Sequence, residues 1–203
     1  MTEGYIKFNC EWEQKELKFS EELFATFETQ RSRLFELDLI GMNSDGIGFG
    51  NISVKPSGST SFIITGSATG QFAKLRPEHY ALVTGYHFDR NSISCTGLTK
   101  ASAESLSHAA VYESLPETAS VVHVHCLWLW EKLRNEYPTT AAEIEYGTPE
   151  MAKAIGQLIA EMKSDDPKII VMGGHREGIL AFGATLEEAT DHLINIYNQY
   201  KHD

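Results

Sequence analysis

At 203 residues, with 42% hydrophobic and 22% charged side chains, the chain suits one domain with a sizeable core and is too short for a complete large barrel. A formal net charge of -11 excludes a general binder of phosphate backbones, which needs a basic face, but leaves room for a small local basic pocket. The opening MTEGYIKFNCEWEQKELKF lacks the charged-then-apolar layout of a signal peptide, and no later run approaches membrane length.

The scattered cysteines Cys10, Cys95 and Cys126 form no C-x-x-C pair, which argues against a disulfide framework and for a reducing, cytoplasmic setting. No repeat, low-complexity tract or long linker divides the chain, so a single domain over 1–203 is expected. Binding to nucleic acid or membrane is not.

In chain order, residues 20–40 place Leu23, Phe24, Phe27, Arg31, Leu34 and Phe35 at helical spacing, predicting an amphipathic helix. The Gly-rich GIGFGNISVKPSG leads into a strand pattern. SFIITG, YALVTGY and SISCTG then read as short strands bounded by Gly, Asn and Asp. Residues 101–115 read as a helix and VVHVHC as a buried strand. Thr148 followed by Pro149 starts another helix, with Met151, Ile155, Leu158, Ile159 and Met162 along one face. KIIVMGG and GILAFG are two more strands. A last helix opens at TLEE, where Thr185 and Glu188 fit a capping box. Helices framing a block of short strands predict a layered α/β domain with a mixed or mostly antiparallel sheet.

Within SVVHVHC, His123 and His125 are two residues apart on one strand and project from the same face. Two imidazoles pointing together suit a shared divalent ion. Two hydrogen-bonded core histidines are the alternative. Cys126 faces the other way and reads as core. In VMGGHREGILAFG, a strand ends in two glycines, presents His175 and resumes after Gly178, making His175 the candidate third ligand; an exposed hairpin histidine is the alternative. Three histidines would leave an open position on a tetrahedral zinc, the arrangement of a catalytic site. His79, His87, His192 and His202 lack such settings. His108 lies four residues after Glu104, on the same helix face, and so could line the same pocket.

The ordered series GNISVK, FIITGSATG, GLTKASAESLSHAAVY, SVVHVHC, EYGTPEMAKAI and GGHREGILAFG resembles the class II aldolase/adducin family over roughly residues 20–200. The resemblance implies a three-layer α/β/α fold with a central mixed, mostly antiparallel sheet. It also implies Zn(2+), or another divalent metal, on His123, His125 and His175, and a homo-oligomer, commonly a tetramer. Glu104, in the S-A-E motif, matches the family's acid or base. A carboxylate there would remove a proton from a hydroxy-carbonyl substrate while the metal stabilises the enediolate. The family's phosphate pocket maps onto Gly50, Asn51 and Ser102, and onto Thr69 and Gly70 among the residues of TGSATG.

Two departures stand out. Ala103 replaces a second serine hydroxyl, and the segment after H-x-H is shortened, so neither Tyr137 nor Tyr146 matches the aldolases' proton-donating tyrosine. Trp128 and Trp130 in that segment are expected on a helix face or a subunit contact. Lys100 reads as a solvated loop residue, and Arg176 and Glu177 stand where His-Gly often follows the ligand. The sequence-level expectation is a metal-dependent lyase acting on a small hydroxy-carbonyl metabolite, with a phosphate among its candidate groups. A dehydratase or epimerase of the same family and a non-catalytic, adducin-like interaction domain are the alternatives. A cupin-type oxygenase fits poorly, because Glu131 is badly placed and a Gly-His turn has no role there.

Overall fold

The computed structural model describes residues 6–201. Ten strands and five α-helices follow one another as β1 (Asn9–Gln14), α1 (Glu21–Glu36), β2 (Gly41–Met42), β3 (Gly48–Phe49), β4 (Asn51–Val54), β5 (Phe62–Thr65), β6 (Tyr80–His87), β7 (Ser92–Gly97), α2 (Ser105–Ser114), β8 (Ser120–His125), α3 (Leu127–Leu133), α4 (Pro149–Glu161), β9 (Ile169–Val171), β10 (Gly178–Gly183) and α5 (Leu186–Lys201). Eight strands form one sheet in the order β1-β7-β6-β5-β4-β8-β10-β9, and β2 with β3 makes a separate small hairpin. The β1–β7 pair is parallel, whereas the other pairings in the sheet are antiparallel. His202 lies outside the described residues.

Period-two alternation divides the strand side chains between two cores, one on each face of the sheet. On one face, Ile64, Val83, Val121, Leu180 and Phe182 pack with Leu106 and Tyr112 of α2 and Met151 and Ile155 of α4. On the other, Ile52, Val122, Val124, Ile179 and Ala181 pack with Phe27 and Leu34 of α1, Leu129 of α3, and Leu193 and Tyr197 of α5. The expected three-layer α/β/α arrangement is therefore the one observed.

The helix ends carry the predicted chemistry. Thr148 Oγ1 accepts from Met151 N at 3.2 Å ahead of Pro149, and Thr185 Oγ1 accepts from Glu188 N at 3.1 Å. Glu188 Oε2 closes its half of the exchange on Ala184 N, one residue earlier than the capping-box pattern places it. Helix α2 starts four residues later than its pattern predicts, because residue 101 makes a strand bridge to Gly66 first. Strand β1, with only two apolar positions, and the β2–β3 hairpin, with two residues per strand, were not anticipated. Trp130 is buried on α3 and donates Nε1–H to Met172 O at 3.0 Å, while Trp128 is partly exposed against Tyr197.

Candidate functional site

The site forms where β8 ends on the α2–α4 face of the sheet. β8 lies between β4 and β10, with His123 opposite Asn51 on one side and Leu180 on the other. His123 and His125 thus share a face with Leu180, while Val122, Val124 and Cys126 turn to the opposite core, as the alternation predicts. His175 comes from the turn between β9 and β10, held by His175 N–H to Met172 O and Gly178 N–H to His175 O. One ligand nitrogen from each of the three buried imidazoles can be chosen so that all lie within 4.8 Å of one another. His123 Nε2 and His125 Nε2 are 3.0 Å apart.

Glu104 occupies the N-cap position of α2, where its side chain makes no capping hydrogen bond. Its carboxylate is buried, with Oε2 accepting from Ser107 Oγ at 2.7 Å and Oε1 3.3 Å from His175 Nδ1. Burial, then the neighbouring imidazoles of His125, His175 and His108, push the His123 pKa well below its ordinary value. A neutral imidazole with an available lone pair is the form that ligates a cation. Three imidazoles beside a buried carboxylate fit a divalent ion by donor type and spacing.

Gly50, Asn51, Thr69, Gly70, Ser102, Glu104 and the three histidines all border one small cavity of about 40 Å³. That volume takes a water- or ion-sized occupant. A larger cleft of about 390 Å³ adjoins it across Tyr146 and His175, walled by Lys7, Glu145, Arg176 and Glu177. Its size suits a small metabolite. Asn51 is buried, and its Oδ1 has no hydrogen-bond partner among the described residues. Ser102 Oγ accepts from Glu104 N at 3.3 Å, which leaves its hydroxyl hydrogen for a ligand. Thr69 Oγ1 instead donates to Gly66 O at 2.8 Å.

The two candidate tyrosines separate cleanly. Tyr146 stacks on His175 with ring centroids 4.5 Å apart and borders both cavities, with Lys7 Nζ 3.8 Å from its own ring centroid. Tyr137 packs into the opposite core. The close seat of Tyr146 depends on Gly174, where a Cβ would stand 1.8 Å from Ile144 O. His108 does not line the cavity. Its Nδ1 is 2.7 Å from Ser53 Oγ, which also meets Tyr112 Oη at 2.6 Å, and complete burial lowers its pKa to about 3. Lys100 and Arg176 are exposed.

Sequence reasoning missed Phe49, whose ring stacks on His125 at 5.3 Å, and Arg31, a guanidinium buried behind the Thr69–Gly70 loop. The signal for Arg31 was a charge on the apolar face of a predicted helix. Phe49 had no signal beyond its place beside the Gly-Asn pair.

A profile of the Class II Aldolase and Adducin N-terminal domain matches residues 39–199. The chain belongs to that family. No curated protein sequence is significantly similar to it. Among solved structures, YgbL from Klebsiella pneumoniae is similar at 18% identity and a TM-score of 0.68, over 90% of this chain and 88% of that one. L-fuculose-1-phosphate aldolase from Thermus thermophilus is similar at 22% identity and 0.61, over 90% and 97%. The sugar-phosphate aldolase from Thermotoga maritima is similar at 16% and 0.64, over 89% and 93%. These likenesses establish the class II aldolase fold. Among the described residues, no helix is long and apolar enough to cross a membrane.

Proposed function

We propose that this family member is a metal-dependent lyase that acts on a small hydroxy-carbonyl metabolite bearing a phosphate. The observation that carries the reading is the carboxylate of Glu104, buried 3.3 Å from His175 in a cluster of three imidazoles. Burying a carboxylate and three imidazoles in one corner is costly unless a ligand offsets their desolvation. His123, His125 and His175 are the residues that would hold the ion, with zinc the first candidate. A divalent ion bound there supplies Lewis acidity to the carbonyl and hydroxyl oxygens of the substrate.

The chain's own groups supply the rest. Glu104 accepts the proton from the substrate hydroxyl as the neighbouring carbon–carbon bond breaks, leaving an aldehyde and an enediolate. Returning that proton to carbon regenerates the carboxylate. Ser107, through its 2.7 Å bond to Oε2, fixes the carboxylate so that Oε1 faces the cluster. Tyr146 covers His175 and limits water at the metal side of the cleft. Gly50, Asn51, Gly70 and Ser102 offer donors to the anionic end, and the 390 Å³ cleft takes the remainder.

Dehydration and epimerisation begin with a similar proton removal, so either is the second reading. YgbL is itself described only as a candidate aldolase, epimerase or decarboxylase. A non-catalytic adducin-like role gives no reason to bury Glu104 beside the three histidines. The same proposal includes a single domain, a cytoplasmic location and a homotetramer. The test is turnover of the zinc-loaded protein across a panel of sugar phosphates and hydroxy acids, with Glu104→Gln alongside. Cleavage by the wild type and none by a variant that still binds zinc is the expected result. Silence across the panel with zinc bound would move the reading to the non-catalytic alternative.

A further inference from the structure

Arg31 sits on α1, outside the residues that match the family profile, and only 2% of its surface is exposed. Its Nη2 donates to Thr69 O at 3.3 Å and Gly70 O at 3.1 Å, and its Nη1 to Ala73 O at 3.3 Å. Each of these hydrogen bonds is to a main-chain carbonyl of the loop that walls the small cavity, and the guanidinium also lies 5.4 Å from the ring centroid of Phe35. Among the described residues, no carboxylate lies within ion-pairing distance of this guanidinium. Glu28, one turn earlier on α1, spends its oxygens on Leu75 N–H at 2.9 Å and Tyr80 Oη at 2.8 Å. Glu28 acts on Arg31 as a countercharge through space without pairing with it, but burial outweighs it, so among the described residues the guanidinium is incompletely compensated.

The loop geometry indicates where a further negative charge belongs. The described peptide bonds are trans, so the C=O and N–H of one peptide unit point in opposite directions. With the carbonyls of Thr69 and Gly70 drawn toward Arg31, the N–H groups of Gly70 and Gln71 are turned away from α1. Gly70 N would lie 3.1 Å from a Cβ built on Gly48, which is on the cavity wall, and it has no hydrogen-bond partner among the described residues. Ala68, beside Thr69 on the same wall, holds φ at 58°, a left-handed conformation that neighbours must impose. Gly70 has no room for a side chain, since a Cβ would meet Gly41 O at 2.2 Å. The loop is held in a conformation that leaves the Gly70 N–H, in a cavity-lining residue, without a protein acceptor among the described residues.

We infer that Arg31 is the positioning residue of a phosphate subsite, orienting the Gly70 peptide toward the ligand and supplying the buried positive charge that a phosphate dianion completes. Arg31 acts through the loop and does not touch the ligand. The assignment rests on the proposed reading of this cavity as the anionic end of the substrate site.

The experiment is calorimetric titration of the zinc-loaded protein with inorganic phosphate, and with acetate as the carboxylate comparison, in wild type, Arg31→Met, Arg31→Lys and Glu28→Gln. Arg31→Met should weaken phosphate binding at least about tenfold with zinc stoichiometry unchanged, and Arg31→Lys by less. Glu28→Gln removes a loop anchor and a negative charge together. It should bind phosphate as well as wild type or better, which loss of mere loop support would not produce. Equal weakening in Arg31→Met and Glu28→Gln, or wild-type affinity in Arg31→Met, overturns the assignment. Should Arg31→Met not fold, Arg31→Lys against Glu28→Gln decides by the same contrast. Wild-type protein that takes zinc but ignores phosphate, or prefers acetate, removes the phosphate subsite itself and Arg31's role with it, leaving the metal centre standing.

Discussion

Replacing Gly174 by alanine tests whether the close passage of two backbone segments builds the site. The new Cβ would lie 1.8 Å from Ile144 O, 2.5 Å from Ile144 C and 3.0 Å from Ile144 N. Carbon and carbonyl oxygen need about 3.3 Å even in a weak hydrogen-bonded contact, so the segments must separate by about 1.5 Å. All three obstacles are main-chain atoms, and no rotamer change relieves them. Overpacking of this kind costs about 1–3 kcal/mol, and the upper end applies where only backbone can yield. At about 2–4 °C per kcal/mol for a chain of this size, Tm should fall by about 6–12 °C. The displacement also carries Tyr146 away from its 4.5 Å stack on His175. Metal distances are held to about 0.2 Å in a good site, so zinc affinity should fall at least about tenfold. Thermal unfolding of the metal-free protein and competition with a chromophoric chelator measure the two effects separately. Gly156→Ala, on α4 with its nearest neighbour the rotatable Ser114 Oγ at 3.2 Å, should instead stabilise by about 0.5–1 kcal/mol. If Gly174→Ala matched wild type in Tm and zinc affinity, the role given to this passage would be wrong.

Asp38 holds φ at 56° just past α1, where Leu39 N–H returns to Leu34 O. Asp38→Gly should therefore stabilise by about 0.5 kcal/mol, relief of the left-handed conformation outweighing the added chain entropy in urea unfolding. His108 has its pKa lowered from 6.5 to about 3 by burial, so the unfolded chain takes up a proton that the folded one refuses. Its contribution is intact above about pH 6.5 and is lost as pH falls toward 3, at up to about 1.4 kcal/mol per pH unit. Urea unfolding of His108→Gln between pH 6 and 4 should show a pH slope shallower by up to one proton than wild type; parallel slopes would refute this. Zinc at about 1,000 times its Kd should raise Tm by about 8–16 °C, corresponding to about 4 kcal/mol, and a chelator should reverse it. His123→Asn should lose the zinc-dependent rise, and a rise that survived would place the ion elsewhere.

The parts of the fold that sequence revealed are those with a repeating pattern or a cap. Short apolar runs marked β8 and β10, and Thr148 with Pro149 marked the start of α4. The edge strand β1 was not legible, because the alternation in NCEWEQ rests on only two apolar residues, Cys10 and Trp12, and the strand pairs with β7 across some eighty intervening residues. Within the site, period two gave the common direction of His123 and His125. Their convergence with His175 depends on the β8–β10 pairing, which no local pattern contains. Tyr146 was indistinguishable from Tyr137 in sequence, since each follows a short loop. Only the passage of residues 140–146 beside Gly173 and Gly174 brings one of them to the cluster.

The placing of β8 between β4 and β10 also bears on how the chain checks its own folding. A slip of one residue along β8 would swing His123 and His125 into the layer of α1, α3 and α5 and bring Val122 and Val124 to the cavity. Such a slipped sheet could still bury comparable apolar surface, so hydrophobic burial alone discriminates weakly against it. It could not gather three imidazoles. On the proposed reading, an ion's binding free energy would be available only to chains whose central strands are in register, which would make metal uptake a proofreading step for strand alignment as well as the start of chemistry.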